Sequence, residues 1–373
     1  MVDRIPLTSH GKVDRAALLA TPAAEITASA TDAAPRTPGE QVLSELFATV
    51  LGLETAGPGT NFFEAGGHSL LVMRLAAAAE QALGREVPIS AVYDAPTPAA
   101  LARQLGGPVQ PGTDGLSPVL TLRAAGHRTP LFCLPPGMGL GWSYSALLPH
   151  LTGRPVHALQ PDALRRVGDL PDSIGQVAAD YVRLIRSVQP EGPYLLLGRS
   201  FGGLLSYEVA ARLRADGQPV GLVALVDALP GDGSPVDPAT AETLALSVLL
   251  SQAIPGAAGR PERATRAEAI HLVRSADGPL RGASAARLGY LLDLTVRYII
   301  LAQDYKPPRY EGKVVLFSAA EPDAADAGAK AGVWRRTAND VRVHELDGTH
   351  RQSMDPPAAA AIARARAPIL REF

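Results

Sequence analysis

The pentapeptide Gly198-Arg199-Ser200-Phe201-Gly202 has the form G-x-S-x-G. An apolar run, 194–197, leads into it, and an amphipathic stretch, 204–213, leaves it. On a sharp strand-to-helix turn of this kind the serine stands above the sheet as a nucleophile, and the turn demands small residues beside it. Gly198, Gly202 and Gly203 supply them. The Phe201 amide, at the helix start, then faces the oxyanion that forms on an attacked carbonyl. The chemistry implied is acyl transfer through a serine ester.

Such a serine needs a base and an acid to orient it. Of eight histidines, His350 stands in Asp347-Gly348-Thr349-His350, just beyond the last predicted strand, at the sheet edge where the elbow sits. Asp227 ends the strand after the elbow and is the expected acid; Asp323 or Glu321, after the strand predicted at 314–317, holds the alternative position. The second oxyanion donor is expected from Pro135-Pro136-Gly137-Met138-Gly139. Prolines have no N–H, which leaves Gly137 or Met138. Cys133, the single cysteine, falls inside the preceding strand and reads as buried filler.

A second serine lies in Asn61-Phe62-Phe63-Glu64-Ala65-Gly66-Gly67-His68-Ser69-Leu70. The aromatics anchor the loop, and the glycines bend it before Ser69. Ser69 is then at a helix N-terminus, as an ordinary N-cap or as a carrier of a phosphate group that the helix dipole favours.

The elements that must position these residues fall into two sets. Apolar residues Val42, Leu43, Leu46, Phe47, Val50 and Leu51 share one helix face after the cap Thr37-Pro38. A helix at 70–83, a turn near 89–93 and a helix from Thr97-Pro98 to Leu105 complete a small bundle. From 119 onward short strands (119–122, 131–134, 156–159, 194–197, 222–226, 314–317, 341–346) alternate with helices (174–188, 204–213, 357–370). This predicts a mostly parallel sheet covered on both faces. An all-helical insertion near 228–307 interrupts it and reads as a lid. The 36 glycines and 33 prolines are partly explained by linkers at 21–36 and 107–116.

Composition excludes some functions. With 35 basic against 37 acidic residues, the net charge of −2 argues against a nucleic-acid binder. No apolar run approaches the ~20 residues of a membrane helix. The start, MVDRIPLTSH, has no apolar signal region, and one cysteine cannot form an internal disulfide, so a cytoplasmic protein is expected.

Residues 37–106 resemble a peptidyl carrier protein, whose serine in G-G-H-S-L bears 4'-phosphopantetheine; the resemblance places that cofactor on Ser69. Thr60 and Ala65 depart from the usual acidic residue and leucine. Residues 1–20, with Leu7-Thr8-Ser9-His10-Gly11-Lys12, resemble the closing motif of adenylation domains in nonribosomal peptide synthetases, here as a remnant. Residues 117–373 resemble the type I thioesterase that ends such synthetases, an α/β-hydrolase with a helical lid. That family's acid position supports Asp227. Arg199 stands where relatives often have an aromatic residue or histidine. A charge there either meets a substrate group or lies solvated, and the solvated state is expected.

The resemblance implies a multidomain chain, a small four-helix carrier bundle followed by an α/β-hydrolase domain. It would transfer a peptidyl thioester from Ser69 to Ser200 and release it. Upstream condensation and adenylation domains and a phosphopantetheinyl transferase would be its partners. The other readings are a serine carboxylesterase or lipase with a helical appendage, or a docking module with a vestigial triad. Co-expression with a phosphopantetheinyl transferase separates them: intact mass rises by one cofactor, and Ser69→Ala abolishes the rise. An unmodified wild type contradicts the carrier reading.

Overall fold

The computed structural model describes residues 38–83, 86–106, 117–123, 126–151, 153–164, 167–253, 264–275, 280, 283–320 and 327–370. The expected adenylation remnant (1–20), both linkers and the alternative acids Glu321 and Asp323 lie outside the described residues. Four helices come first: α1 (Pro38–Leu51), α2 (Ser69–Leu83), α3 (Ile89–Asp94) and α4 (Pro98–Gly106). Among the described residues, 38–67 with 95–106 form one compact unit, and 68–94 with 117–370 form another.

In the first unit, α1 opens with Pro38 and has Glu40 in its first turn, both suited to a helix N-terminus. It buries Leu43, Phe47 and Val50 at helical spacing and packs against α4, which buries Leu101 and Leu105. The loop between is anchored by Phe62, fully buried, its ring 5.2 Å edge-on from Phe47. Gly67 must be glycine, because a Cβ there would sit 2.3 Å from the Phe62 ring.

The second unit holds α2, α3 and a seven-stranded sheet. Its strands are β1 (Val119–Arg123), β2 (Leu131–Leu134), β3 (Val156–Leu159), β4 (Tyr194–Arg199), β5 (Val220–Val226), β6 (Tyr310–Ala319) and β7 (Ala338–Leu346). The order is β1-β3-β2-β4-β5-β6-β7. Only β1 is antiparallel to its neighbour. Every residue of β2 and β3 is buried, as continuous apolar strands under helices should be. The helix α5 (Ile174–Val188) is capped by Ser173, whose Oγ accepts from the Gln176 amide at 3.1 Å, and it buries Ile174, Val177, Ala178, Tyr181 and Ile185. It packs on α6 (Phe201–Ala215), which leaves β4 and is buried on nearly all sides.

Between β5 and β6 lie α7 (Pro238–Ala253), α8 (Arg266–Ser275) and α9 (Ala285–Asp304), the expected helical insertion. The longest, α9, is tied to the loop before α5. Arg297 Nε donates to the Pro171 carbonyl at 2.7 Å and Tyr290 Oη to that of Asp169 at 3.0 Å. The helix α10 (Ala327–Arg335) was not expected. It supplies the crossover that the parallel pair β6 and β7 requires. Its sequence, AGAKAGVWR, is rich in small residues and anchored chiefly by one tryptophan. A last helix, α11 (Pro356–Leu370), closes the chain.

Trp334 is fully buried, its ring 4.8 Å from that of Tyr207, and its indole N–H donates to the Ala228 carbonyl at 2.9 Å. Trp334→Ala should destabilise by about 3–5 kcal/mol. Trp334→Phe keeps most of the apolar area but removes the donor, and should cost about 1–3 kcal/mol. Chemical denaturation measures both; a Trp334→Phe variant as stable as the wild type would contradict a role for the hydrogen bond.

Candidate active site

Strand β4 ends at Arg199, and Ser200 caps α6 with φ 54° and ψ −125°, a conformation that residues with a Cβ rarely adopt. The turn is held by hydrogen bonds from the Ser200 amide to the Val226 carbonyl (2.9 Å) and from the Gly203 amide to the Ser200 carbonyl (2.8 Å). A Cβ on Gly198 would lie 1.9 Å from the Gly202 carbonyl oxygen, one on Gly202 2.4 Å from that of Leu134, and one on Gly203 2.3 Å from the Ala228 Cβ. The three glycines are therefore required by contact. They also bring the end of β2, and with it the loop 135–139, against the elbow.

Asp227 follows β5 directly, also at positive φ (45°), and its amide donates to the Phe317 carbonyl at 2.7 Å. Its carboxylate is fully engaged. Oδ2 lies 2.7 Å from His350 Nδ1, while Oδ1 accepts from Lys330 Nζ (2.9 Å) and from the Ala319 amide (3.1 Å). The side chains of Asp227 and Lys330 are each 6% exposed, that of His350 38%. Burial alone pushes the Asp227 pKa up. The hydrogen bonds and positive charge of His350 and Lys330 outweigh it and bring it down to about 2. With one oxygen saturated by Lys330, the other is left for His350 Nδ1, an arrangement that turns Nε2 away from the acid.

Lys330 is not legible in the sequence because α10, which carries it, lacks a helical apolar pattern. The available signal was a lone lysine one turn before Trp334 in a run of alanine and glycine, a poor place for a solvated charge. The expectation that Arg199 lies solvated is overturned. Its guanidinium donates to the His350 carbonyl at 2.7 Å and to Ser353 Oγ at 2.9 Å. Its partners are 151 and 154 residues away along the chain, beyond what local pattern can indicate.

Phe201 starts α6 and is buried, its ring stacked on Tyr298 of α9 at 4.3 Å. The insertion thus rests on the residue expected to offer an oxyanion amide. In the loop after β2, the Gly139 amide donates to the Pro136 carbonyl at 2.7 Å, closing a turn around Gly137 and Met138. Met138 is buried and Gly137 half-buried. Gly139, at φ 91°, lies where a Cβ would meet Pro161 at 2.4 Å.

Ser69 is the first residue of α2 and is half-buried. Gly66, at φ 95°, and Gly67 precede it. A partly exposed hydroxyl on the first turn of a 15-residue helix fits a phosphodiester, since the turn's free amides face the negative charge. Among the described residues no cluster of His, Cys, Asp and Glu could hold a metal ion, and no helix is long and apolar enough to cross a membrane.

Residues 129–370 match the thioesterase domain family, and residues 41–105 match the phosphopantetheine attachment site family. The chain is 35% identical, over 99% of its length, to 15% of the dimodular nonribosomal peptide synthase of Bacillus subtilis. It spans 5 to 15% of the length of three curated relatives that it matches. Among solved structures, a holo four-domain nonribosomal peptide synthetase bound to AMP and glycine covers 99% of this chain, which covers 28% of it, at TM-score 0.60 and 25% identity. The thioesterase domain NocB, in covalent complex with a fluorophosphonate nocardicin G analogue, aligns over 68% of this chain and 100% of its own, at TM-score 0.51 and 26% identity.

The depressed Asp227 pKa sets a pH dependence. The folded state holds the carboxylate more acidic than its unfolded value of 3.8. The stabilisation is therefore complete above about pH 4 to 5 and is lost as pH falls toward 2. It amounts to on the order of 2 kcal/mol. In Lys330→Met the folded pKa should move back toward the unfolded value, because a cation and a hydrogen bond are gone, so the variant should be less stable at pH 7 and lose less stability as pH falls. Urea denaturation from pH 7 to 3 reads this; identical profiles for wild type and variant would contradict the pairing.

Proposed function

The chain belongs to the thioesterase domain family and carries a phosphopantetheine attachment domain, and we propose on that premise that it is the peptide-releasing end of a nonribosomal peptide synthetase. The observation that carries this is the pairing of His350 with Asp227, in a turn whose His350 carbonyl accepts a hydrogen bond from Arg199, the residue before a serine held at positive φ among three obligatory glycines. Substrate and cofactor delivery are supported by the second serine, Ser69, in its own attachment domain.

Ser69 is the residue that would hold 4'-phosphopantetheine through its hydroxyl, with the first amides of α2 facing the phosphate. When bound, that group supplies a thiol on a flexible arm, which presents the peptide as a thioester. Because carrier and thioesterase are in one chain, delivery is intramolecular, and a weak contact suffices.

His350 takes the proton of Ser200 as Ser200 attacks the thioester carbonyl, and Asp227 stabilises the imidazolium. The amides of Phe201 and of Gly137 or Met138 hold the oxyanion. His350 then gives its proton to the leaving sulfur, and Ser200 retains the peptide as an ester. In the second half His350 deprotonates water, giving a linear acid, or an amine or hydroxyl of the peptide itself, giving a ring. The insertion α7–α9 covers the site, and Tyr298 stacked on Phe201 sets the lid against the oxyanion amide. A phosphopantetheinyl transferase primes Ser69, upstream condensation and adenylation domains supply the peptide, and the cytoplasm is the proposed compartment.

The test is incubation of the chain with a synthetic peptidyl-pantetheine thioester and mass analysis of the product. Linear acid and macrocycle differ by one water. Ser200→Ala should give neither, and should lose the peptidyl ester seen on the wild type at short times. Release undiminished in Ser200→Ala would overturn the assignment.

A further inference from the structure

We infer that Arg199 is a positioning residue that locks the His350 turn to the nucleophile, so that Ser200, the base and the oxyanion loop are held as one body. The inference rests on the reading of Ser200 as nucleophile and His350 as base.

Arg199 is bonded covalently to Ser200 and reaches the other two parts of the site from opposite ends. Its amide donates to Tyr144 Oη at 2.9 Å. Tyr144 is fully buried and in turn donates to the Leu134 carbonyl at 2.6 Å, the last residue of β2 before the oxyanion loop. Its side chain points the other way. Nη2 donates to the His350 carbonyl at 2.7 Å and more weakly to that of Arg351 at 3.4 Å, while Nε donates to Ser353 Oγ at 2.9 Å. Ser353 is fully buried, and its hydroxyl donates to the same His350 carbonyl at 2.8 Å. The flat guanidinium fork therefore grips both ends of the turn 350–353, which a flexible ammonium cannot do with comparable geometry.

The turn is stiff enough for this grip to matter. The Thr349 amide donates to Gln352 Oε1 at 3.0 Å, and the Gln352 amide donates to the Thr349 carbonyl at 2.9 Å. Gly348 allows the entry at φ 97°. Holding the carbonyls of a stiff turn holds the backbone from which the imidazole projects. The Asp227 contact orients the ring, but the distance from ring to Ser200 is set by where that backbone lies.

The energetics argue against an incidental arginine. Burial lowers the Arg199 pKa, and Tyr144, Asp227 and Asp355 only partly offset it. Even a half-buried guanidinium is expensive to desolvate, and an apolar side chain of similar volume would be less costly. What the arginine adds is direction: three hydrogen bonds to one turn. Displacing a catalytic group by about 1 Å can reduce the rate about 10²-fold, so the gain falls on turnover rather than on stability.

The test uses the full chain with the peptidyl-pantetheine thioester as substrate. Arg199→Met should lower kcat about 10²-fold with KM unchanged, and Arg199→Lys should not restore it. Added ethylguanidinium should recover part of the rate in Arg199→Ala. Ser353→Ala should lower kcat less, and the double variant with Arg199→Met should be no slower than Arg199→Met alone, because both remove the same clamp. If Arg199→Met fails to fold, the kcat of Ser353→Ala and the rescue of Arg199→Ala decide. Unchanged kcat in Ser353→Ala and in every Arg199 variant, or a loss carried wholly by KM, would overturn the inference, the latter in favour of a substrate contact. Fluorophosphonate labelling of Ser200→Ala is run alongside. If that variant is still labelled, the nucleophile reading has failed rather than the clamp.

Discussion

Ser200 carries a side chain at a backbone conformation that side chains avoid, φ 54° and ψ −125°, and the rest of the site is arranged around the contacts that hold it there. Strain of this kind, of order 1–3 kcal/mol, persists only where the surroundings over-determine it. Here they do so from three directions. Gly198 lies against Gly202, Gly202 against the Leu134 carbonyl, and Gly203 against Ala228, each closer than a Cβ allows. The elbow is thereby wedged between the ends of β2, β4 and β5, with β4 central in the sheet. Those strand ends also deliver the loop 135–139 and Asp227, so one packing constraint brings the proposed nucleophile, acid and anion donors together.

Charge is distributed with equal economy. Asp227 sits between Lys330 and His350 and is nearly inaccessible to water, so that Lys330 and the Ala319 amide occupy one oxygen and His350 the other. A buried carboxylate without these partners would be driven toward its neutral form. Lys330 also donates to the Ala319 carbonyl at 3.0 Å, so Asp227 is bound to the end of β6 as well as to β5. On the other side of the imidazole, Arg199 engages the backbone of the same turn. His350, 38% exposed, thus has a rigid setting on two sides while its ring remains reachable.

Much of this was legible in the sequence, for identifiable reasons. Leu131–Leu134 and Val156–Leu159 are wholly apolar strands, and Ile174–Val188 has a serine cap and a clean apolar stripe, so their bounds could be read directly. Strand β4 runs on to Arg199 because Gly198 and Arg199 still pair with Leu225 and Val226 on β5, a tertiary fact that composition hides. Helix α6 begins at Phe201, three residues before its apolar pattern, because the glycines there are dictated by contact rather than by helix preference. Lys330 and the grip of Arg199 were not legible: each depends on partners brought near only by the folded sheet.

The proposed function requires that an acyl group move from one serine to the other. Its most direct test is to load the chain with an acyl-phosphopantetheine from a synthetic acyl-coenzyme A, using a promiscuous transferase, and to follow the acyl mass on peptides containing Ser69 and Ser200 after rapid quenching. The acyl group should leave the Ser69 peptide as it appears on the Ser200 peptide, and in His350→Ala it should stay on Ser69. An acyl group lost from Ser69 at the wild-type rate in Ser200→Ala, with none ever found on Ser200 in the wild type, would contradict the proposed function.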